Sequence, residues 1–210
     1  MSDTATMQKL EVVPTIKEGI AIGTKNLVPI LVNVLLWVLT AWIPYLNVGT
    51  TIGLLAGIVA KASKGEPIPM TEIFDPKYRK YMGEFFICSG IISVGVSIGT
   101  AFVIIPGIVI GIAWSLAVLL VIDKGKNPIE AITLSNNCTY GYKLKMVIIY
   151  FIAGLAFTIV QMILMGIGGA IGSSAVMFLI TLIVLASAIL EIFVFIGLQA
   201  SVYKQLADNI

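Results

Sequence analysis

The chain has no histidine, two cysteines and little charge: of 210 residues, 13 are Lys or Arg and 11 are Asp or Glu. Without imidazole, the usual zinc and haem ligands and histidine-dependent base catalysis are excluded. Two separated thiols, Cys88 and Cys138, are too few for a metal cluster and give no reason to expect a disulfide. No phosphate-binding glycine loop or nucleophile elbow occurs. The chain is therefore read as non-enzymatic, with no catalytic residues, no metal site and no cofactor. A formal charge of +2 gives no argument for nucleic acid.

What is abundant is hydrocarbon. Hydrophobic residues make up 59% of the chain, more than a water-soluble core of this size needs, which defines an all-α, polytopic membrane protein. Residues 26–60, 85–122 and 146–190 carry no charge. Each tract is about twice the ~20 residues one spanning helix requires. Each also contains turn-forming residues near its middle: Pro44 to Gly49, Pro106-Gly107, and Gly166 to Ser174.

The expected architecture is a single integral membrane domain, 1–210, with six transmembrane helices in three hairpins, 27–62, 81–123 and 144–202. A cytoplasmic loop covers 63–80, an interfacial amphipathic helix 14–26, and a cytoplasmic amphipathic helix 127–142. In the last, Asn127 is an N-cap, Pro128 the first helical residue and Glu130 an acid in the first turn.

All Lys and Arg then fall on the side that holds both termini, which the positive-inside rule makes cytoplasmic, in a multi-pass protein of the cell membrane. The first hairpin is short, with spans near the ~17-residue limit, and a re-entrant hairpin would leave the termini on the same side. The polar start, residues 1–13, shows no small-residue cleavage site. EGIAIGTKN (18–26) aligns without gaps on EAITLSNNC (130–138), each before a pair of spans, as in a parallel duplication.

Glycines four residues apart (Gly53/Gly57, Gly95/Gly99, Gly107/Gly111, Gly168/Gly172) suit close helix packing within one bundle, or contact with a neighbouring subunit. Asn33, Gln161, Glu191 and Glu84 are the intramembrane polar site candidates. Glu191 is the costliest of them if it faces lipid. Counted from Ser173, it lies about 27 Å along its helix, in the inner leaflet. Two readings stand: a structural carboxylate, hydrogen-bonded or paired with Lys143 or Lys145, or a cation or proton site. Glu84 lies at the membrane edge. Lys77, Tyr78, Arg79, Lys80 and Tyr81 form a basic aromatic strip suited to anionic headgroups.

Across residues 65–145 the order of motifs is Gly-Glu-Pro-Ile-Pro (65–69), Phe74-Asp75 before a span, Ile104-Ile-Pro-Gly107, Trp114 in the returning span, and Ile122-Asp-Lys-Gly-Lys-Asn-Pro-Ile-Glu-Ala131 leading into a helix. This resembles the prokaryotic six-span membrane proteins related to the membrane domain of glycerophosphodiester phosphodiesterases. The resemblance implies a helical fold with interfacial helices and some dealing with lipids. It brings no functional residues, and no counterpart of the soluble phosphodiesterase domain is present, so no hydrolysis is implied.

Two functional expectations follow. One is a small transporter, pore or lipid-handling protein with a cytoplasm-facing cavity. The other is a structural or accessory subunit of a larger membrane assembly. The expected partners are membrane lipids, anionic ones included, with a homo-oligomer or other membrane subunits.

Overall fold

The computed structural model describes residues 10–207, and among these there are helices and no strands. The polar stretch before Leu10, where the cleavage-site reading falls, lies outside the described residues.

In chain order the helices are α1 (Val12–Lys25), α2 (Leu27–Thr40), α3 (Pro44–Lys64), α4 (Pro76–Lys80), α5 (Met82–Phe102), α6 (Ile104–Lys124), α7 (Pro128–Thr139), α8 (Lys143–Ile171) and α9 (Ser174–Ala207). Five of them, α3, α5, α6, α8 and α9, are long and apolar enough to cross a membrane, or six crossings if the bent pair α1–α2 is counted as one. That makes the chain a candidate multi-pass membrane protein by helix length and hydropathy.

The turn signals act one step later than expected. Pro44 is the first residue of α3, and Pro106-Gly107 lies in the first turn of α6, after a break at Val103 where the backbone is extended. Proline is tolerated there because the first helical N–H groups have no intrahelical partner. Gly166, Gly168 and Gly169 stay helical, and α8 ends at left-handed Gly172 (φ +68°). At Asn127 the side chain accepts from the Ile129 N–H at 3.0 Å, and Pro128 opens α7.

The molecule has two unlike ends. At the apolar end the α5–α6 and α8–α9 hairpins expose Phe102, Ile104, Ile105, Met162 and Phe178. At the charged end, α1, α3, α7 and the adjoining ends of α6, α8 and α9 enclose one core that includes Leu10, Ile58, Leu120, Met146 and Tyr203. Only 11% of the most apolar stretch is buried in each of α5, α8 and α9, against 67% in α3. Apolar surface thus faces protein on α3, the least apolar of the five long helices, and faces outward on the hairpins.

Contacts on α3 show its direction. Near its start, Arg79 Cγ and Met82 Cε rest on Gly49, so this end meets the beginning of α5. At its finish, Lys64 pairs with Asp123 at the end of α6, and Ile58–Lys64 packs on α9. Asp123 also accepts from the Tyr203 hydroxyl of α9 at 2.9 Å. Both ends of α3 therefore touch the charged ends of other helices. A helix running the length of the bundle would instead reach Val103 or Gly172 at the apolar end.

Helix α1 runs antiparallel to the end of α9. Thr15 meets Gln205, Glu18 meets Lys204 and Ser201, and Gly23 meets the backbone of Phe193. Helical spacing alone would set Ile16, Ile20, Gly23 and Leu27 on one face of this segment. The buried stripe is instead Thr15, Gly19 and Gly23, while Ile20 is exposed. Small residues let the two backbones touch, and that contact outweighs aliphatic periodicity.

Of the spaced glycines, Gly53 and Gly57 receive the Tyr78 ring, Gly95 receives Trp114, Gly99 abuts Gly107, and Gly168 receives Met177 and Ile180. These contacts are internal to the bundle. The Gly53–Gly57 segment of α3 is a π-helical turn, shaped around Tyr78.

Candidate functional site

Asn33 is fully buried in α2. Its amide donates to Pro29 O at 2.9 Å and to Pro69 O at 2.8 Å, and its carbonyl accepts from the Ile73 N–H at 3.1 Å. It fastens the 69–73 segment to α2, and every polar atom is in use.

Glu191 is half-buried on α9. Gln161 Nε2 of α8 donates to Glu191 Oε2 at 3.4 Å and to Ser187 Oγ at 3.3 Å. The lysines expected to reach it go elsewhere. Lys143 Nζ donates to Asn136 Oδ1 at 2.8 Å, and Lys145 Nζ donates to Leu10 O at 2.9 Å. The ion-pair reading is thus corrected to a hydrogen-bonded carboxyl group, because both lysine side chains are drawn into the packed charged end. Glu84 is half-buried in the first turn of α5, where an acid complements the helix N-terminus.

The basic strip divides. Tyr78 is 1% exposed, so headgroups do not reach it. Its hydroxyl donates to Glu72, a buried carboxylate also held by Lys61 at 2.6 Å and Lys77 at 3.2 Å. Lys77 further pairs with Asp75 at 2.9 Å and lies 4.8 Å over the Tyr78 ring. Burial alone would raise the Glu72 pKa, but the hydrogen bonds from Lys61, Tyr78 and Lys77 win and hold it below the usual carboxylate range. Burial, and then the Glu72 carboxylate, push the Tyr78 pKa up. Tyr81 is half-buried against the core, and Lys80 is exposed.

Between α3, α5, α6 and α9 lies an apolar chamber of about 460 Å³, inside the ~300–1,000 Å³ range of small-molecule sites. Its walls include Leu54 and Leu55 of α3, Phe85 of α5, Val118 of α6, and Ile192 and Phe195 of α9. Three polar residues, Ser89, Ser115 and Gln199, also line it.

Gln199 is fixed from both sides. Tyr150 Oη donates to its carbonyl at 2.6 Å, and its amide donates to Ser115 O at 3.3 Å. That carbonyl lies where α6 breaks its regular bonding, and α7 stitches the break. Ser135 Oγ donates to Ala113 O at 2.7 Å and accepts from the Leu116 N–H at 3.2 Å. The serine thus replaces lost backbone partners in a buried place.

None of the lining residues was singled out from sequence. Ser89, Ser115 and Gln199 are single polar residues in apolar tracts, and a hydroxyl that can bond its own helix carries little signal. Glu72 was equally hidden among the charges of its loop. Compared with family models, with curated protein sequences and with solved structures, the chain gives no match in any of the three.

Proposed function

We propose that the chain is a non-catalytic, lipid-handling integral membrane protein that takes a lipid acyl chain into the chamber between α3, α5, α6 and α9. The chamber itself carries this reading. Its lining is aliphatic and aromatic, and α5 and α9, which form two of its walls, expose apolar side chains to the surroundings along most of their length. A hydrocarbon tail gains by leaving neither protein nor lipid contact unfilled. The family resemblance, with its implied dealing with lipids, points the same way.

In this reading α5, α6, α8 and α9 cross the bilayer, and the α2–α3 hairpin is re-entrant at the cytoplasmic face. Both termini stay cytoplasmic. Along α3 from Gly49 to Lys61, roughly 18 Å of helix, the neighbours are Arg79, Tyr78, Glu72 and Lys77, and charges of that kind are expensive at bilayer depth. Exposed Leu39, Trp42 and Tyr45 at the hairpin tip then enter the inner leaflet.

Labelling with a membrane-impermeant maleimide distinguishes this from six crossings, in a background with Cys88 and Cys138 replaced by alanine. Ser173→Cys is expected to label from outside. Asn47→Cys, beside the tip within the inner leaflet, should not label from outside, and labelling from outside establishes the six-span arrangement.

The functional test is native mass spectrometry of gently extracted protein. Wild type is expected to retain one phospholipid, and Val118→Phe, which places a larger side chain in the chamber wall, should lower that occupancy. A wild type that emerges without lipid overturns the reading. The Glu191–Gln161 pair supports a transport alternative: solute flux in liposomes that Glu191→Gln abolishes would establish it. Stoichiometric retention of a second membrane protein would favour the accessory-subunit role.

A further inference from the structure

We infer that the chamber's occupant is an anionic phospholipid of the cytoplasmic leaflet, with its phosphate at Arg79 and Lys80 and one acyl chain inside. This rests on the acyl-chain reading above and adds the headgroup to it.

Position comes first. Arg79 and Met82 both rest on Gly49, so the guanidinium stem lies beside the first turn of α5. Met82, Phe85 and Ser89 follow at helical spacing on one face of α5, and the last two line the chamber. From Met82 to Ser89 the helix rises about 10 Å. A headgroup at the start of α5 thus stands within about 10 Å along the helix of the chamber, within reach of an acyl chain.

Charge comes second. Lys61, Lys64, Lys77, Lys126 and Lys204 each have a carboxylate within ion-pair distance. Among the described residues Arg79 and Lys80 have none, although they belong to the same short segment as Lys77. Of the five residues of the strip, Lys77 and Tyr78 are spent on Glu72, Tyr81 packs against the core, and Arg79 and Lys80 are left without a carboxylate. Arg79 offers a planar fork matched to phosphate oxygens, and Lys80 a mobile ammonium.

The occupant is a lipid and not free phosphate, because the apolar chamber that begins at Phe85, one turn beyond Met82, would otherwise stay empty of hydrocarbon. Equal amounts of phosphatidylglycerol and phosphatidylcholine with matched chains are offered to the purified full chain, and bound lipid is read by native mass spectrometry. Wild type is expected to prefer phosphatidylglycerol roughly fivefold or more, the size one or two basic residues add at an anionic surface.

Arg79→Gln with Lys80→Gln should bring the ratio near one while total lipid occupancy persists. Lys80→Gln alone, at an exposed position that leaves the fold untouched, should lower the ratio partway. Lys17→Gln with Lys25→Gln, exposed lysines on α1, should leave it unchanged. No preference in wild type, or a preference surviving the double change, overturns the headgroup assignment while leaving the chamber reading intact. Displacement of the lipid by millimolar glycerol phosphate would also overturn it, by making free phosphate the ligand. Absence of any bound lipid removes the chamber reading as well.

Discussion

Gly197→Val is expected to cost about 3 kcal/mol or more, by an overpacking that has nowhere to relax. A Cβ at Gly197 would lie 2.0 Å from Gly19 O and 2.8 Å from Gly23 N. Both are backbone atoms of α1, so no side chain can swing aside. The helices must separate by an ångström or more, and separation pulls apart the neighbouring contacts of Glu18 with Lys204, Ser201 and Gln205. In thermal melts of the detergent-solubilised protein, this is expected to lower the midpoint by roughly 6–12 °C or to prevent folding. Gly169→Ala is the control. Nothing lies within 4 Å of the Cβ it adds to α8, and replacing a helical glycine should be neutral or stabilising by up to about 1 kcal/mol. If Gly197→Val melts like wild type, the α1–α9 contact is not as described.

That crossing shows where sequence reasoning reached and where it stopped. The helical class, the hairpins built by α5–α6 and α8–α9, and the capped start of α7 were legible, because proline, glycine and long apolar runs act locally. The role of α3 was not. Leu54, Ala56, Ile58 and Val59 are as apolar as a spanning helix needs, yet they face protein, and hydropathy does not say which. The same ambiguity hid the Thr15, Gly19 and Gly23 stripe, since small residues look weak on a hydrophobic wheel and matter only against a partner backbone. Glu191 stands out in the sequence as an acid in an apolar run, but its partner depends on where Gln161, Lys143 and Lys145 point, which is a tertiary fact. The chamber lay beyond reach altogether, because its walls come from four separated segments.

Glu72→Gln is expected to loosen the loop that sheathes α3, with a loss of about 3 kcal/mol, the low end for breaking a buried ion pair because Lys61 and Lys77 retain some access to water. The carboxylate is shared by two ammonium groups and the Tyr78 hydroxyl, and Tyr78 in turn fills the space over Gly53 and Gly57. An amide keeps the shape but removes the charge, so both lysines lose their partner and the ring loses a strong acceptor. Acid should do the same to wild type. The folded-state pKa of Glu72 is depressed below 4.5, as is that of Glu18, where burial is outweighed by Lys204, Ser201 and Gln205. For a depressed carboxylate the stabilisation is complete above the unfolded-state value and is lost as pH falls through the folded-state one. Melting points should therefore hold from neutrality down to about pH 4.5 and fall below it, the model-peptide range for Glu. In Glu72→Gln the melting point should start lower and the acid limb should be shallower, retaining the part that belongs to Glu18. An acid limb as steep as that of wild type would mean that Glu72 does not hold this end together, and that the π-helical turn of α3 is kept by packing of Tyr78 alone.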